Sequence, residues 1–232
     1  MENKFSPANA ALSTPVDCGR DSLGLTRAKC RQAFFPKQQI LLLAALLALS
    51  APVAKADQAG GGTGLNNAII LIIRHAEKAD KGSELSKAGK KRAKAYVSYF
   101  KNFTVGSQPL QVDYLFSTAD SKASCRTRLT LEPFSKAVGL PIDSRFAYTD
   151  IQGLAGAVRA KPSGKQFLIC WHHGEIPQLV AALGADPKTL FRDSKWPDAV
   201  FDWVIQLRYD ANGNLIDAKR INEGLMPGDS QG

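Results

Sequence analysis

The sequence predicts an α/β protein, a three-layer α/β/α sandwich with a mostly parallel central sheet and a C-terminal β-hairpin. Three observations carry that expectation. Three short, near-continuous apolar runs read as strands buried on both faces, the pattern of a parallel sheet. Segments with a helical apolar period lie between them, as a layered α/β domain requires. The C-terminal stretch then switches to alternation around Asn212-Gly213, a strong short-range signal for a tight hairpin.

Residues 1–56 read as a secretory leader. Lys37, an apolar stretch over 40–53 and Ala54-Lys55-Ala56 supply a charged lead-in, a core and a small-residue cleavage site. The apolar stretch is shorter than the roughly 20 residues a spanning helix needs. Cleavage after Ala56 leaves no stable membrane span and places the protein in the periplasm or outside the cell. The long lead-in leaves two alternatives open: a start further downstream, or retention of the segment as an anchor. Residues 57–66, Gly-rich and polar, read as a flexible linker. Residues 67–232 form the domain, long enough for one sizeable core.

Within the domain, strands are expected at 68–74, 112–117 and 166–171. The first helix falls in 85–103, where Ala93, Tyr96, Val97 and Phe100 recur at i, i+3, i+4 and i+7. Ser86 is its N-cap, and Lys87, Lys90, Lys91 and Lys94 form a solvated face. A second helix covers 122–139 and closes at Gly139. A third covers 151–161. A fourth starts at Ile176-Pro177, where proline suits the first turn, and runs to Gly184.

The net charge is +9. The leader holds seven Lys and Arg against three Asp and Glu, which leaves +5 on the remainder. No interleaving of aromatic and basic residues accompanies that modest excess, so a nucleic-acid partner is not expected. A small anionic substrate is favoured instead. Cys18 and Cys30 belong to the leader. Cys125 and Cys170 lack metal-type spacing, and an oxidising compartment would permit a disulfide between them. No His, Cys or carboxylate spacing suggests a metal, and no cofactor motif is present.

The chain has three histidines, His75, His172 and His173, and all stand at the ends of expected strands. Ligands of open α/β sheets bind at the carboxyl ends of strands. The first strand ends in Arg74-His75, the second in Ser117-Thr118 and the third in His172-His173, while the helix after the second adds Arg126 and Arg128. Arginines and imidazoles converging there would form a cationic pocket suited to a phosphoryl group. Imidazole can itself be the nucleophile, with water resolving the covalent intermediate.

The segment "LIIRHAEK" (71–78) resembles the Arg-His signature of the histidine phosphatase superfamily, the phosphoglycerate mutase-like fold. The resemblance continues in "LSKAGKKRA" (85–93) and in "FSTADSKASCRTRLTLEPF" (116–134), where Arg126-Thr127-x-x-Thr130 is similar to the second-arginine helix. It closes with "LICWHHGEIPQLVAAL" (168–183). Four pieces in the family's order span roughly residues 67–185. The resemblance implies that His75 is the catalytic nucleophile and becomes phosphohistidine. It implies that Arg74, Arg126 and a second histidine hold the phosphoryl oxygens.

The His-Gly pattern selects His173 as that second histidine, while counting back from Pro177 would select His172. Glu175 is the candidate acid, with Glu77, Asp120 and Asp150 open as alternatives. Arg126 lies nine positions after Ser117, further than is usual in the family, and Lys122 stands nearer the usual place. The offset to Thr130 fits Arg126. The implied function is an exported phosphatase acting on small phosphorylated substrates without a metal or cofactor. A non-catalytic module of the same fold that binds a phosphate ligand is the alternative. Segments 104–111, 143–165 and 186–200 are expected to shape specificity.

Overall fold

The computed structural model describes residues 63–229. The expected leader and its expected cleavage site lie outside the described residues. The domain begins a few residues earlier than its expected start at 67. Gly64 is buried and donates its N–H to Arg159 O at 2.9 Å, and Asn66 N donates to Thr63 O at 2.7 Å. A Cβ on Gly64 would meet the Val158 carbonyl oxygen, so only glycine fits this approach.

In chain order the elements are strand β1 (Ile69–Arg74), helix α1 (Lys87–Lys101), the two-residue strands β2 (Thr104–Val105) and β3 (Gln108–Pro109), and strand β4 (Tyr114–Thr118). Helix α2 (Arg126–Val138), strand β5 (Ile142–Phe146), helix α3 (Ile151–Arg159) and strand β6 (Gln166–Trp171) follow. Helix α4 (Ile176–Ala182), the short helix α5 (Pro187–Leu190) and strands β7 (Trp203–Tyr209) and β8 (Leu215–Asn222) complete the domain. The main sheet has the order β5-β4-β6-β1-β7-β8. Its first four strands run parallel, β7 runs antiparallel to β1, and β8 antiparallel to β7. The expected sandwich with a C-terminal hairpin is the fold observed.

Alternation along the strands builds two cores. Ile70 and Ile72 of β1, with Phe167, Ile169 and Trp171 of β6, pack with Leu154 and Val158 of α3 and Leu179 and Val180 of α4. Leu71 and Ile73, with Leu168 and Cys170, pack with Tyr96 and Phe100 of α1 and Leu131 and Phe134 of α2. Both faces of β1 and β6 are therefore buried, which is why their sequences read as unbroken apolar runs.

Local chemistry sets the helix ends. Ser86 Oγ accepts from Gly89 N at 3.0 Å to cap α1, and Asp150 Oδ1 accepts from Gly153 N at 2.9 Å to cap α3. Gly139 closes α2 at φ 72°. α2 starts at Arg126, four residues later than the expected 122. Ser121 and Ser124 instead form a local turn, with Ser121 Oγ accepting from Ser124 N at 3.1 Å, a competition with helix that serine favours.

The sequence reading missed β5, whose "IDSRF" is no apolar run because it forms the sheet edge with most of its residues part-exposed. At the other edge, the hairpin turn is held by Asp210 Oδ1, which accepts from Asn212 N and Asn214 N, each at 2.8 Å. Among the described residues no helix is long and apolar enough to cross a membrane.

Candidate active site

The β1 ladder continues one bond past its last residue, with His75 N donating to Trp171 O at 3.1 Å. The adjacent Ala76 N donates to Thr130 Oγ1 at 2.9 Å, and that hydroxyl donates to Arg126 O at 2.7 Å. Thr118 at the end of β4 shares a 2.6 Å hydroxyl–hydroxyl bond with Thr127. Two threonines on one face of α2 thus tie the helix start, and with it Arg126, to the ends of β1 and β4. The result is a cleft of about 700 Å³ at the carboxyl ends of the strands. Arg74, His75, Glu77, Lys78, Arg126, His172 and His173 line it, together with Asp198, Ala199 and Phe201 from the segment before β7.

His75 is only 4% exposed. Its Nδ1 lies 2.7 Å from Ala76 O. A carbonyl can only accept, so Nδ1 carries the proton and Nε2 keeps a bare lone pair. Burial lowers the His75 pKa to about 3, against the pull of the Ala76 bond, and the charges of Arg74, His172 and Arg126 lower it further. His172 is lowered to about 4, by burial first and by Arg126 second. The His75 ring centroid is 5.4 Å from that of His172 and 6.4 Å from that of His173.

His173 is bonded at both nitrogens. Arg74 Nη2 lies 3.2 Å from its Nδ1. Guanidinium has no acceptor, so Nδ1 accepts and Nε2 is left as the donor. That Nε2 meets Asp198 Oδ1 at 2.6 Å. Asp198 thus occupies, with its carboxyl group, the donor that the resemblance assigns to a phosphoryl oxygen. Its side chain is 93% exposed, so releasing it costs little.

Arg74 is more committed than the sequence suggested. Its Nη1 reaches the carbonyl oxygens of Pro197, Asp198 and Val200 at 3.2, 2.8 and 2.8 Å. Its guanidinium lies 3.8 Å over the Phe201 ring. Burial lowers its pKa to about 10, with Asp198 and Glu77 opposing, so it stays charged at neutral pH. Arg126 is freer: Nη1 donates to Gly82 O at 3.3 Å, while the Nε atoms of both Arg126 and Arg74 are buried without a hydrogen-bond partner. Lys122 lies in the exposed turn before α2, outside the cleft lining.

The candidate acids separate. Glu175 occupies the N-cap position of α4, outside the cleft lining. Burial holds its pKa above the usual carboxylate value. Asp120 pairs with Arg128 and Asp150 caps α3. Glu77 does line the cleft, with Oε1 held by Arg92 Nε and Nη2 at 3.0 and 2.8 Å. Asp198 was missed, since no local pattern marks a carboxylate brought in by a loop 123 residues beyond His75. Cys125 and Cys170 are both free thiols. Cys170 is fully buried in β6 and its burial pushes its pKa well up, which makes it inert.

The depressed imidazole values have a consequence for stability. The unfolded chain takes up protons as pH falls through about 6.5, while the folded chain keeps His172 and His75 neutral until about 4 and about 3. Their neutral burial therefore favours the fold above pH 6.5 and loses that advantage as pH falls toward 4. Unfolding free energies measured between those pH values should drop, by up to about 1.4 kcal/mol per pH unit from His75. The His75→Asn variant should show a shallower slope. Equal slopes would mean that His75 titrates normally.

No family model matches the sequence, and no curated protein matches it. Solved structures do. The protein histidine phosphatase SixA in complex with tungstate is 17% identical, with a TM-score of 0.47 over 67% of this chain and 97% of that one. A phosphoglycerate mutase from Plasmodium falciparum is 17% identical, with a TM-score of 0.48 over 72% of this chain and 98% of that one. A mycobacterial glucosyl-3-phosphoglycerate phosphatase with inorganic phosphate is 14% identical, with a TM-score of 0.41 over 66% and 94%. At these identities and TM-scores the functional reading rests on this chain's own side chains.

Proposed function

We propose that this protein is an exported phosphatase that hydrolyses small phosphoric monoesters through a phosphohistidine on His75, with no metal or cofactor. The observation that carries the reading is the 2.7 Å bond from His75 Nδ1 to Ala76 O, which leaves Nε2 bare in a cleft lined by two arginines and two further imidazoles. The leader supports export. The chemistry resembles that of the histidine phosphatase superfamily.

In the first step Nε2 attacks phosphorus, the ester P–O bond breaks, and the leaving oxygen takes a proton. In the second, water attacks phosphorus and the P–Nε2 bond breaks. A proton of the water restores the acid that protonated the leaving oxygen, and inorganic phosphate leaves with His75 back in its starting tautomer. Arg126, with an unpartnered Nε, and Arg74 neutralise the phosphoryl oxygens. The Nε2–H of His173 joins them once the phosphoryl group displaces the Asp198 carboxylate.

Turnover of a chromogenic phosphate ester, with an acid-labile and alkali-stable phosphoenzyme trapped on the way, is the expected result. Phosphate binding without turnover would instead favour the binding-module reading. That rival draws on one observation: both carboxylates lining the cleft are already paired, Glu77 with Arg92 and Asp198 with His173.

The acid can be assigned by leaving group. Loss of a proton donor slows esters of poorly acidic alcohols and spares activated aryl esters. Glu175→Gln is expected to lower alkyl ester turnover about a hundredfold and nitrophenyl ester turnover far less. If Glu77→Gln or Asp198→Asn shows that signature instead, the role moves there. For the paired histidines, His173→Ala should cost at least about a hundredfold, the range for losing a transition-state donor. His172→Ala should cost only a few-fold. The reverse order in the same assay would assign the donor to His172.

A further inference from the structure

The inference rests on the phosphatase reading and concerns the group on the far side of the scissile bond. Four rings run in a row through the site. The Phe201 centroid lies 6.4 Å from that of His75, His75 lies 5.4 Å from His172, and His172 lies 5.5 Å from Tyr148. The first three line the cleft. Tyr148, at the end of the row, is 51% exposed and is one of two exposed large hydrophobic side chains among the described residues.

A single exposed aromatic ring is ordinary on a protein surface. Tyr148 differs because its backbone is pinned. Its carbonyl accepts a 3.0 Å bond from the indole Nε1 of Trp171, the fully buried last residue of β6 and the neighbour of His172. The strand that delivers His172 to the cleft thus also fixes the base of Tyr148. The ring stands edge-to-face with the His172 imidazole at 66°. Its exposed part offers a flat apolar surface beside His172, on that side of the cleft.

We propose that Tyr148 is a specificity-determining residue that stacks on a planar ring of the leaving group. The site then prefers phosphomonoesters whose leaving alcohol carries an aromatic ring within a few atoms of the bridging oxygen. Two sources share that chemistry: aryl esters, with the ring on the bridging oxygen, and nucleoside monophosphates, with the ring further away.

The test compares kcat/KM for phenyl phosphate, a nucleoside 5′-monophosphate and ringless glycerol 2-phosphate in wild type, Tyr148→Ala and Tyr148→Phe. Tyr148→Ala is expected to lower kcat/KM for a ringed substrate about tenfold more than for glycerol 2-phosphate, in the range of aromatic stacking. Tyr148→Phe, which keeps the ring, should retain the wild-type ratio. A selective loss with phenyl phosphate alone assigns aryl esters, and one with the nucleotide alone assigns nucleotides. Equal losses for ringed and ringless substrates overturn the proposal. Calorimetric binding of phenylphosphonate against methylphosphonate reads the same preference without turnover. A protein that hydrolyses nothing yet loses its preference for phenylphosphonate on Tyr148→Ala would refute the phosphatase reading and keep this one. Equal affinities for the two phosphonates in wild type would overturn it.

Discussion

His75→Ala is expected to abolish phosphomonoester turnover, by roughly four orders of magnitude or more, in a protein that still folds. A covalent nucleophile has no substitute in its site, so its removal costs more than that of any single supporting group. The fold should survive because β1 is held by its backbone. His75 N would still donate to Trp171 O, and Ala76 N would still donate to Thr130 Oγ1. The variant should also lose the acid-labile phosphoenzyme. Arg74→Ala should be milder in turnover, since Arg126 remains, though it also releases the three carbonyls of the 197–200 segment. Residual turnover above about a tenth of wild type in a folded His75→Ala protein would remove His75 from the role.

The second large effect is on stability. Arg92 of α1 is 2% exposed and meets three carboxylates. Besides Glu77, it reaches Glu223 Oε2 at 3.2 Å and Asp229 at 2.6 and 3.0 Å. Tyr96 donates its hydroxyl to the other Glu223 oxygen at 2.8 Å. Burial pushes the Glu223 pKa up to about 8 despite the Tyr96 and Arg92 bonds, a sign of how little water reaches the cluster. Arg92→Met fills a similar volume but strips these acids of their cation.

Breaking a buried pair from one side costs about 3–5 kcal/mol, which for a domain of this size lowers Tm by roughly 6–20 °C. The gap to wild type should narrow at acid pH, where Asp229 joins Glu223 in the neutral form. Arg92→Lys should fall between, because it keeps the charge and loses the fork that bridges several acids. A loss below about 1 kcal/mol for Arg92→Met would show the cluster to be well solvated. Glu77 lies in both the cluster and the cleft wall, so activity should fall with stability in the same variant.

The sequence by itself determined the class of fold and most of its elements. Runs such as Ala68 to Ile73 have no polar face, so they can only be strands buried from both sides, and buried parallel strands demand helices between them. It also placed the histidines at strand ends, which is a local property. The Thr130 offset favoured Arg126 over Lys122, and in the structure the Thr130 hydroxyl joins Ala76 N to the Arg126 carbonyl.

What the tertiary structure decided is the surroundings of those residues. Edge strand β5 was illegible because a half-exposed strand has no apolar run to announce it. The engagement of Arg74 by three carbonyls, the Asp198 carboxylate on His173 and the Tyr148 ring beside His172 all come from segments far along the chain. Tyr148 and Asp198 do fall in two of the three segments expected to shape specificity, yet no spacing rule could say which residue in each would come to lie beside a cleft histidine. Spacing reports contacts one turn or one strand away. Contacts made by loops depend on where the packed core delivers the loop ends, and only the folded chain sets that.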